Sequence, residues 1–155
     1  MSKEIERKFL VDFDEWLSVK AKEILVRQGY LTDSIKPTIR VRVAGNKGYL
    51  TIKGKVSGIT RDEFEYEIPY NDSDYMLKNF CDNSIIEKFR SEIDVDGYLW
   101  QVDRFIGENE GLIVAEIELQ YEEQLIKIPK WITKEVTGDQ RYYNSNLARI
   151  PFSKW

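Results

Sequence analysis

The sequence predicts a mainly β fold of about eight antiparallel strands with a few short helices. Two observations carry that expectation. Apolar and polar residues alternate with period two in one run after another. Short turn signals, GNKG at 45–48 and DVDG at 94–97, separate several of those runs, and tight turns join antiparallel neighbours. At 155 residues, one domain over 1–155 is expected, large enough to bury a core.

Each element follows from its own pattern. In EIERKFLV (4–11), Glu4, Glu6 and Lys8 alternate with Ile5, Arg7 and Phe9. DFDEWLSVKAKE (12–23) has an Asp start and apolar Trp16, Leu17 and Val19, which predicts a helix. ILVRQGYLT (24–32) is a strand rich in β-branched and aromatic residues. TIRVRVAG (38–45) sets Arg40 and Arg42 against Ile39, Val41 and Val43. GYLTIKGK (48–55) sets Thr51 and Lys53 against Leu50 and Ile52. TRDEFEYEIP (60–69) sets Glu63, Glu65 and Glu67 against Phe64, Tyr66 and Ile68. NDSDYMLKNFC (71–81) follows Pro69 and carries Asx-type cap residues, so a helix is expected. SIIEKFRSEI (84–93) sets Lys88 and Arg90 against Phe89. YLWQVDRFIG (98–107) sets Gln101 and Asp103 against Trp100 and Val102. LIVAEIELQY (112–121) sets Glu116 and Glu118 against Ile117 and Leu119. Beyond it, 121–128 reads as a short helical turn or irregular chain, 128–132 as a loop, and TGDQRYYNSNLARI (137–150) as a terminal helix. Successive antiparallel pairing is the simplest topology.

Composition removes several function classes. A net charge of −4 does not suit a surface that coats nucleic acid, although 23 Lys and Arg leave room for a local basic pocket. The first residues are too charged for a signal sequence, and no apolar stretch approaches the roughly 18 residues of a membrane span. The single Cys81 fits a reduced, cytoplasmic setting and reads as a buried thiol. The chain has no histidine, which excludes Ser-His-Asp and Cys-His catalysis and imidazole-bound zinc. A metal would be held mainly by carboxylates, and oxygen ligation favours magnesium, calcium or manganese.

The charged faces have two readings. In an open sheet they are the solvent side and do nothing more. In a closed barrel one face must line the lumen, and a lumen carrying both signs of charge at this density is costly without water, metal or a charged ligand. Clustered carboxylates can hold divalent cations, and clustered Arg and Lys can hold phosphate oxygens. Together they suit a metal-bound oligophosphate, whose phosphoryl transfer needs positioning and charge neutralisation rather than histidine.

A family resemblance supports the closed reading. Glu4-Ile5-Glu6-Arg7-Lys8 resembles the ExExK signature of the CYTH superfamily, the triphosphate tunnel metalloenzymes. In the same order, TIRVR resembles that family's paired-arginine strand, LTIKGK its lysine strand and TRDEFEYEI its R-x-E-x-E segment. IIEKFR resembles its K-x-R strand, VDRF and AEIEL its late acidic strands, and EVTGDQRYYNSNLA the C-terminal helix of short bacterial members.

The resemblance implies a closed eight-stranded antiparallel barrel with short flanking helices and a C-terminal helix. It implies Glu4, Glu6, Glu116 and Glu118 as metal ligands, with magnesium or manganese as the metal. Arg40, Arg42, Lys53, Lys88, Arg90 and Lys8 would bind phosphate oxygens. Lys8, Glu63 and Asp103 would serve the reaction itself, the two acids by ligating metal or orienting water. Arg61 reads as a phosphate ligand or an ion-pair partner, and Arg141 as a residue at the tunnel mouth or on the surface. Glu65 and Glu67 fit the site no better than plain charge neutralisation. Arg7, Arg104 and the four tryptophans read as structural.

The implied activity is hydrolysis of inorganic triphosphate, with a small-molecule triphosphate as partner, no nucleic acid, no membrane, and a homodimer as one expected assembly. Class IV adenylate cyclase, thiamine or nucleoside triphosphatase, a non-catalytic polyphosphate-binding module and a plain charged sheet are the alternatives.

Overall fold

Strand pairing shows how the alternation is used. The computed structural model describes residues 2–32, 37–81 and 85–155. Along the chain lie β1 (Ser2–Val11), α1 (Phe13–Leu17), β2 (Glu23–Tyr30), β3 (Thr38–Ala44), β4 (Lys47–Lys53) and β5 (Thr60–Ile68). They are followed by α2 (Tyr70–Phe80), β6 (Ile86–Val95), β7 (Tyr98–Phe105), β8 (Ile113–Glu118), β9 (Ile132–Glu135) and α3 (Asn144–Leu147). The nine strands form one sheet in the order β5-β4-β3-β2-β6-β7-β8-β1-β9, and a further β5–β1 pairing closes β1 through β8 into a barrel.

The closure differs from simple succession. β2 to β5 form one meander and β6 to β8 another, but β1 pairs with β5 and β8, and β2 with β6. β1 is long enough to serve three partners. Ser2–Ile5 pair with β5, Glu6–Leu10 with β8, and Phe9–Val11 with β9. The expected hairpins form at tight turns: Gly45 at φ 58° joins β3 to β4, and Asp96 (φ 54°) with Gly97 (φ 83°) joins β6 to β7. Gly45 supplies the positive φ in the first loop, and Asp96 and Gly97 supply it in the second.

The apolar faces point out of the barrel and are covered there. Phe9, Trp100, Val102, Ala115 and Ile117 pack beneath Trp16 of α1 and Trp131. Val41 and Val43 pack beneath Leu77 and Cys81 at the α2 edge. α2 approaches closely because β4 offers a glycine: a Cβ on Gly48 would lie 1.8 Å from Ser73 Oγ. The inward positions turn apolar where β1 ends. Ile86, Phe105 and Val114 meet Val136, Tyr142 and Leu147 there, with Leu10 against them.

Several helix expectations change. The first helix stops at Leu17 rather than 23; Lys20 takes a left-handed φ of 52° and Glu23 opens β2. α2 follows Pro69 with no side-chain cap, so the expected Asx cap is not used. The expected strand start at Ser84 lies outside the described residues. The helix expected over 137–150 is reduced to α3 between 3-10 turns at Gln140–Tyr142 and Phe152–Lys154. Burying Val136, Tyr142 and Leu147 in one cluster bends this segment, and Gly138 supplies a φ of 80°. β9 falls mostly in a stretch with no strand pattern. Among the described residues, no helix is long and apolar enough to cross a membrane.

Candidate active site

The inward faces of the strands enclose a cavity of about 380 Å³. β1 lines it with Glu4, Glu6 and Lys8, β3 with Thr38, Arg40 and Arg42, and β4 with Lys53. Arg61, Glu63 and Glu65 come from β5, Lys88 and Arg90 from β6, Gln101 from β7, and Glu116 and Glu118 from β8. Register explains why they meet. Glu6 lies opposite Glu118 and Lys8 opposite Glu116 across β1 and β8, and Lys53 lies opposite Glu63 across β4 and β5.

Of the residues expected to form a site, Asp103 is placed differently. It does not line the cavity but lies beneath it, 1% exposed. Its carboxylate accepts from Lys88 Nζ at 2.7 Å and from Arg90 Nε and Nη2 at 2.7 and 2.8 Å. Both oxygens are therefore committed to holding two basic residues. Arg61 resolves as an ion-pair partner of Glu4 at 2.5 Å, and it also lines the cavity. Glu65 accepts from Thr51, Arg40 and Arg42, at 2.7, 3.3 and 3.1 Å. Glu67 is exposed and pairs with Lys47. Arg141 is 63% exposed, pairs with Asp139 and does not line the cavity.

The acids fall into two electrostatic groups. Burial alone would raise Glu4, but Lys53 (3.0 Å) and Arg61 outweigh it and hold the carboxyl down at about 2. Burial likewise opposes Glu116, yet Lys8 at 3.1 Å and Arg90 at 3.2 Å hold it well below the usual range. Glu6 behaves oppositely. Burial, with Glu116 and Glu4 nearby, pushes it up to about 7, and its ion pair to Lys8 is long at 3.9 Å. Burial and the neighbouring Glu4 and Glu63 also raise Glu118, which makes no ion pair among the described residues. Glu63 Oε2 is 2.8 Å from Lys53 Nζ, off the hydrogen-bonding direction.

The basic residues are similarly uneven. Burial pushes the Lys88 ammonium down to about 8, against the pull of Asp103. Burial and the adjacent Arg40 bring Arg42 down to about 10. The Nε donors of Arg40 and Arg42 are both buried and meet no acceptor among the described residues. Unpaired buried donors are costly, and an anion in the cavity would satisfy them.

Several cavity residues escaped the sequence reading. Tyr30 shares parity with buried Gln28 and lines the cavity, so the alternation of β2 could have found it. Thr137, Gly138, Tyr143, Asn144 and Ser145 line it from the C-terminal segment, where no periodic pattern marks them. Tyr142 accepts through its main-chain oxygen from Lys8 Nζ at 3.3 Å, and Asn144 Oδ1 accepts from Lys88 Nζ at 3.0 Å.

Comparison with known proteins agrees with this architecture. The CYTH domain profile matches residues 2–146. An inorganic triphosphatase of Acetivibrio thermocellus is 49% identical over 155 residues, covering 100% of this chain and 99% of that protein. An inorganic triphosphatase of Nitrosomonas europaea is 36% identical over 151 residues, covering 94% and 96%. The crystal structure of an inorganic triphosphatase superposes with a TM-score of 0.66 at 31% identity, covering 96% of this chain and 95% of the other. A putative adenylate cyclase from Bacillus halodurans shares the fold at a TM-score of 0.62 and 19% identity, covering 79% and 84%. A closed barrel with an inward charged face, matched by the profile over nearly its whole length, makes this chain a member of the CYTH domain family.

Proposed function

We propose that this protein is a metal-dependent hydrolase that splits inorganic triphosphate into pyrophosphate and phosphate inside the barrel. The observation that carries the reading is the pair of buried, unsatisfied Nε donors on Arg40 and Arg42, set in a cavity that also holds Lys8, Lys53, Lys88 and Arg90. Such a cluster is built for an oligoanion. The two full-length relatives named inorganic triphosphatase support the choice of substrate.

The acids fit a divalent cation. The cavity offers carboxylate oxygens and no imidazole, a donor set for magnesium or manganese. Among the described residues no three acidic side chains already converge on one point, because Glu4 and Glu116 are drawn to basic partners. Glu6 and Glu118 face each other and have weak or no ion pairs, so they have least to give up to a cation. Glu4 and Glu116 complete the set. Bound there, the metal would neutralise phosphate oxygens and acidify a water.

The chain's own residues would do the rest. Arg40 and Arg42 exchange Glu65 for phosphate oxygens, and Lys8, Lys53, Lys88 and Arg90 hold the remaining ones. Glu63 keeps one oxygen near Lys53 and turns the other to the attacking water. Water attacks the terminal phosphorus, the bridging P–O bond breaks, and pyrophosphate leaves with charge spread onto the basic residues. Asp103 serves by holding Lys88 and Arg90 in place rather than by touching substrate.

The test is to offer inorganic triphosphate, ATP and thiamine triphosphate in parallel, with magnesium or manganese, and measure phosphate, pyrophosphate and cyclic AMP. Metal-dependent phosphate release, fastest from inorganic triphosphate, is expected. Cyclic AMP formation from ATP, or binding of triphosphate without turnover, would overturn the assignment.

A further inference from the structure

The C-terminal segment contributes more than a cover. Lys88 is 1% exposed, and its ammonium has three N–H donors. One goes to Asp103 Oδ2 at 2.7 Å and one to Asn144 Oδ1 at 3.0 Å. Among the described residues the third meets no hydrogen-bond acceptor; Lys88 lines the cavity, and its ammonium also sits 5.5 Å from the centre of the Phe105 ring. The two acceptors come from separate elements, Asp103 from β7 and Asn144 from α3, 15 and 56 residues beyond Lys88. α3 is anchored independently, because Leu147 is 1% exposed in the apolar cluster and Asn146 Nδ2 donates to Gln140 O at 2.7 Å.

We propose that Asn144 is a positioning residue: with Asp103 it fixes the Lys88 ammonium so that one N–H meets a phosphate oxygen of the substrate. Two acceptors define the orientation of a tetrahedral ammonium, whereas one leaves it free to swing about a single bond. A flexible lysine stem needs such fixing more than a planar guanidinium does. Asp103 alone holds Arg90 in two prongs and shares only one oxygen with Lys88. The inference rests on the cavity being a triphosphate site.

The test compares Asn144→Leu, close in shape but lacking the acceptor, with Asn144→Asp, which keeps an oxygen there. Losing a hydrogen bond to a charged group is expected to lower kcat/KM for inorganic triphosphate by about 10- to 100-fold in Asn144→Leu. Asn144→Asp should recover most of that loss. In a Lys88→Ala background, Asn144→Leu should cost nothing further, since the residue acts through Lys88. Equal losses in both backgrounds, equal losses in the Leu and Asp variants, or no loss at all would each overturn the proposal.

A second readout separates this inference from the function itself. The ¹⁵Nζ ammonium signal of Lys88 should shift and exchange faster with water in Asn144→Leu. If the wild-type protein does not hydrolyse triphosphate, the functional reading fails and this signal still decides the positioning: an unchanged Lys88 resonance overturns it.

Discussion

Removing the Asp103 carboxylate is expected to damage stability far more than removing any surface acid. Asp103 and Lys88 are each 1% exposed, and one carboxylate neutralises both Lys88 and Arg90. Asp103→Ala leaves two cations inside the barrel without their shared counter-charge. Breaking a buried pair from one side costs about 3–5 kcal/mol. For a chain of this size each kcal/mol moves Tm by roughly 2–4 °C, so a fall of roughly 6–20 °C is expected. Part of the penalty should disappear as pH rises toward about 8, because Asp103 helps the buried Lys88 ammonium keep its proton up to that pH and the variant sheds it earlier. Glu67→Gln is the control. Its pair with Lys47 is more than half exposed on both sides, and surface pairs contribute at most about 1 kcal/mol. Calorimetric melts of the two variants at pH 6 and pH 9 measure the contrast. A loss below about 1 kcal/mol for Asp103→Ala at pH 6 would refute the claim that this acid carries the charge balance beneath the site.

Other perturbations separate packing, binding and ionisation. Arg42→Ala should cut kcat/KM for inorganic triphosphate by about 100-fold or more and shrink the rise in Tm that triphosphate produces, because a charged multidentate contact is lost. Glu6 titrates at about 7 in the fold against 4.5 ordinarily, so its stability contribution is full below 4.5 and is lost as pH rises through about 7. Glu6→Gln should therefore melt above wild type at pH 8 without added metal, show no such gain at pH 4, and hydrolyse no triphosphate; melts at the two pH values check this. Gly48→Ala should destabilise by about 1–3 kcal/mol, since its Cβ would sit 1.8 Å from Ser73 Oγ on the buried side of α2, and adding Ser73→Ala should recover part of the loss in denaturant titrations.

The composition of the cavity wall was legible in the sequence because alternation is local. Once Glu4, Glu6 and Lys8 share a face, strand geometry sets their direction, and the same holds for Arg40 with Arg42, Lys88 with Arg90, and Glu116 with Glu118. The depth of Asp103 was not legible. Its parity is that of cavity residues, but its register opposite Arg90 and Val114, next to inward Phe105, places it below the charged layer. Barrel closure was hidden for a related reason: it depends on β1 dividing its length among β5, β8 and β9, which are long-range pairings. The family resemblance supplied closure where pattern alone favoured an open sheet with one wet face. The C-terminal contribution was lost to a helix expectation. Val136, Tyr142 and Leu147 turn toward the barrel at spacings that no single helix face provides, and only that bend delivers Asn144 to Lys88.

The most direct test of the account is the position of metal and triphosphate in a crystal grown with manganese and a non-hydrolysable triphosphate analogue, located by manganese anomalous scattering. An anomalous peak is expected within about 2.5 Å of carboxylate oxygens from Glu6 and Glu118, with phosphate oxygens on Arg40, Arg42 and Lys88. A metal bound only outside the barrel, or an analogue that leaves Arg40 and Arg42 on Glu65, would contradict it.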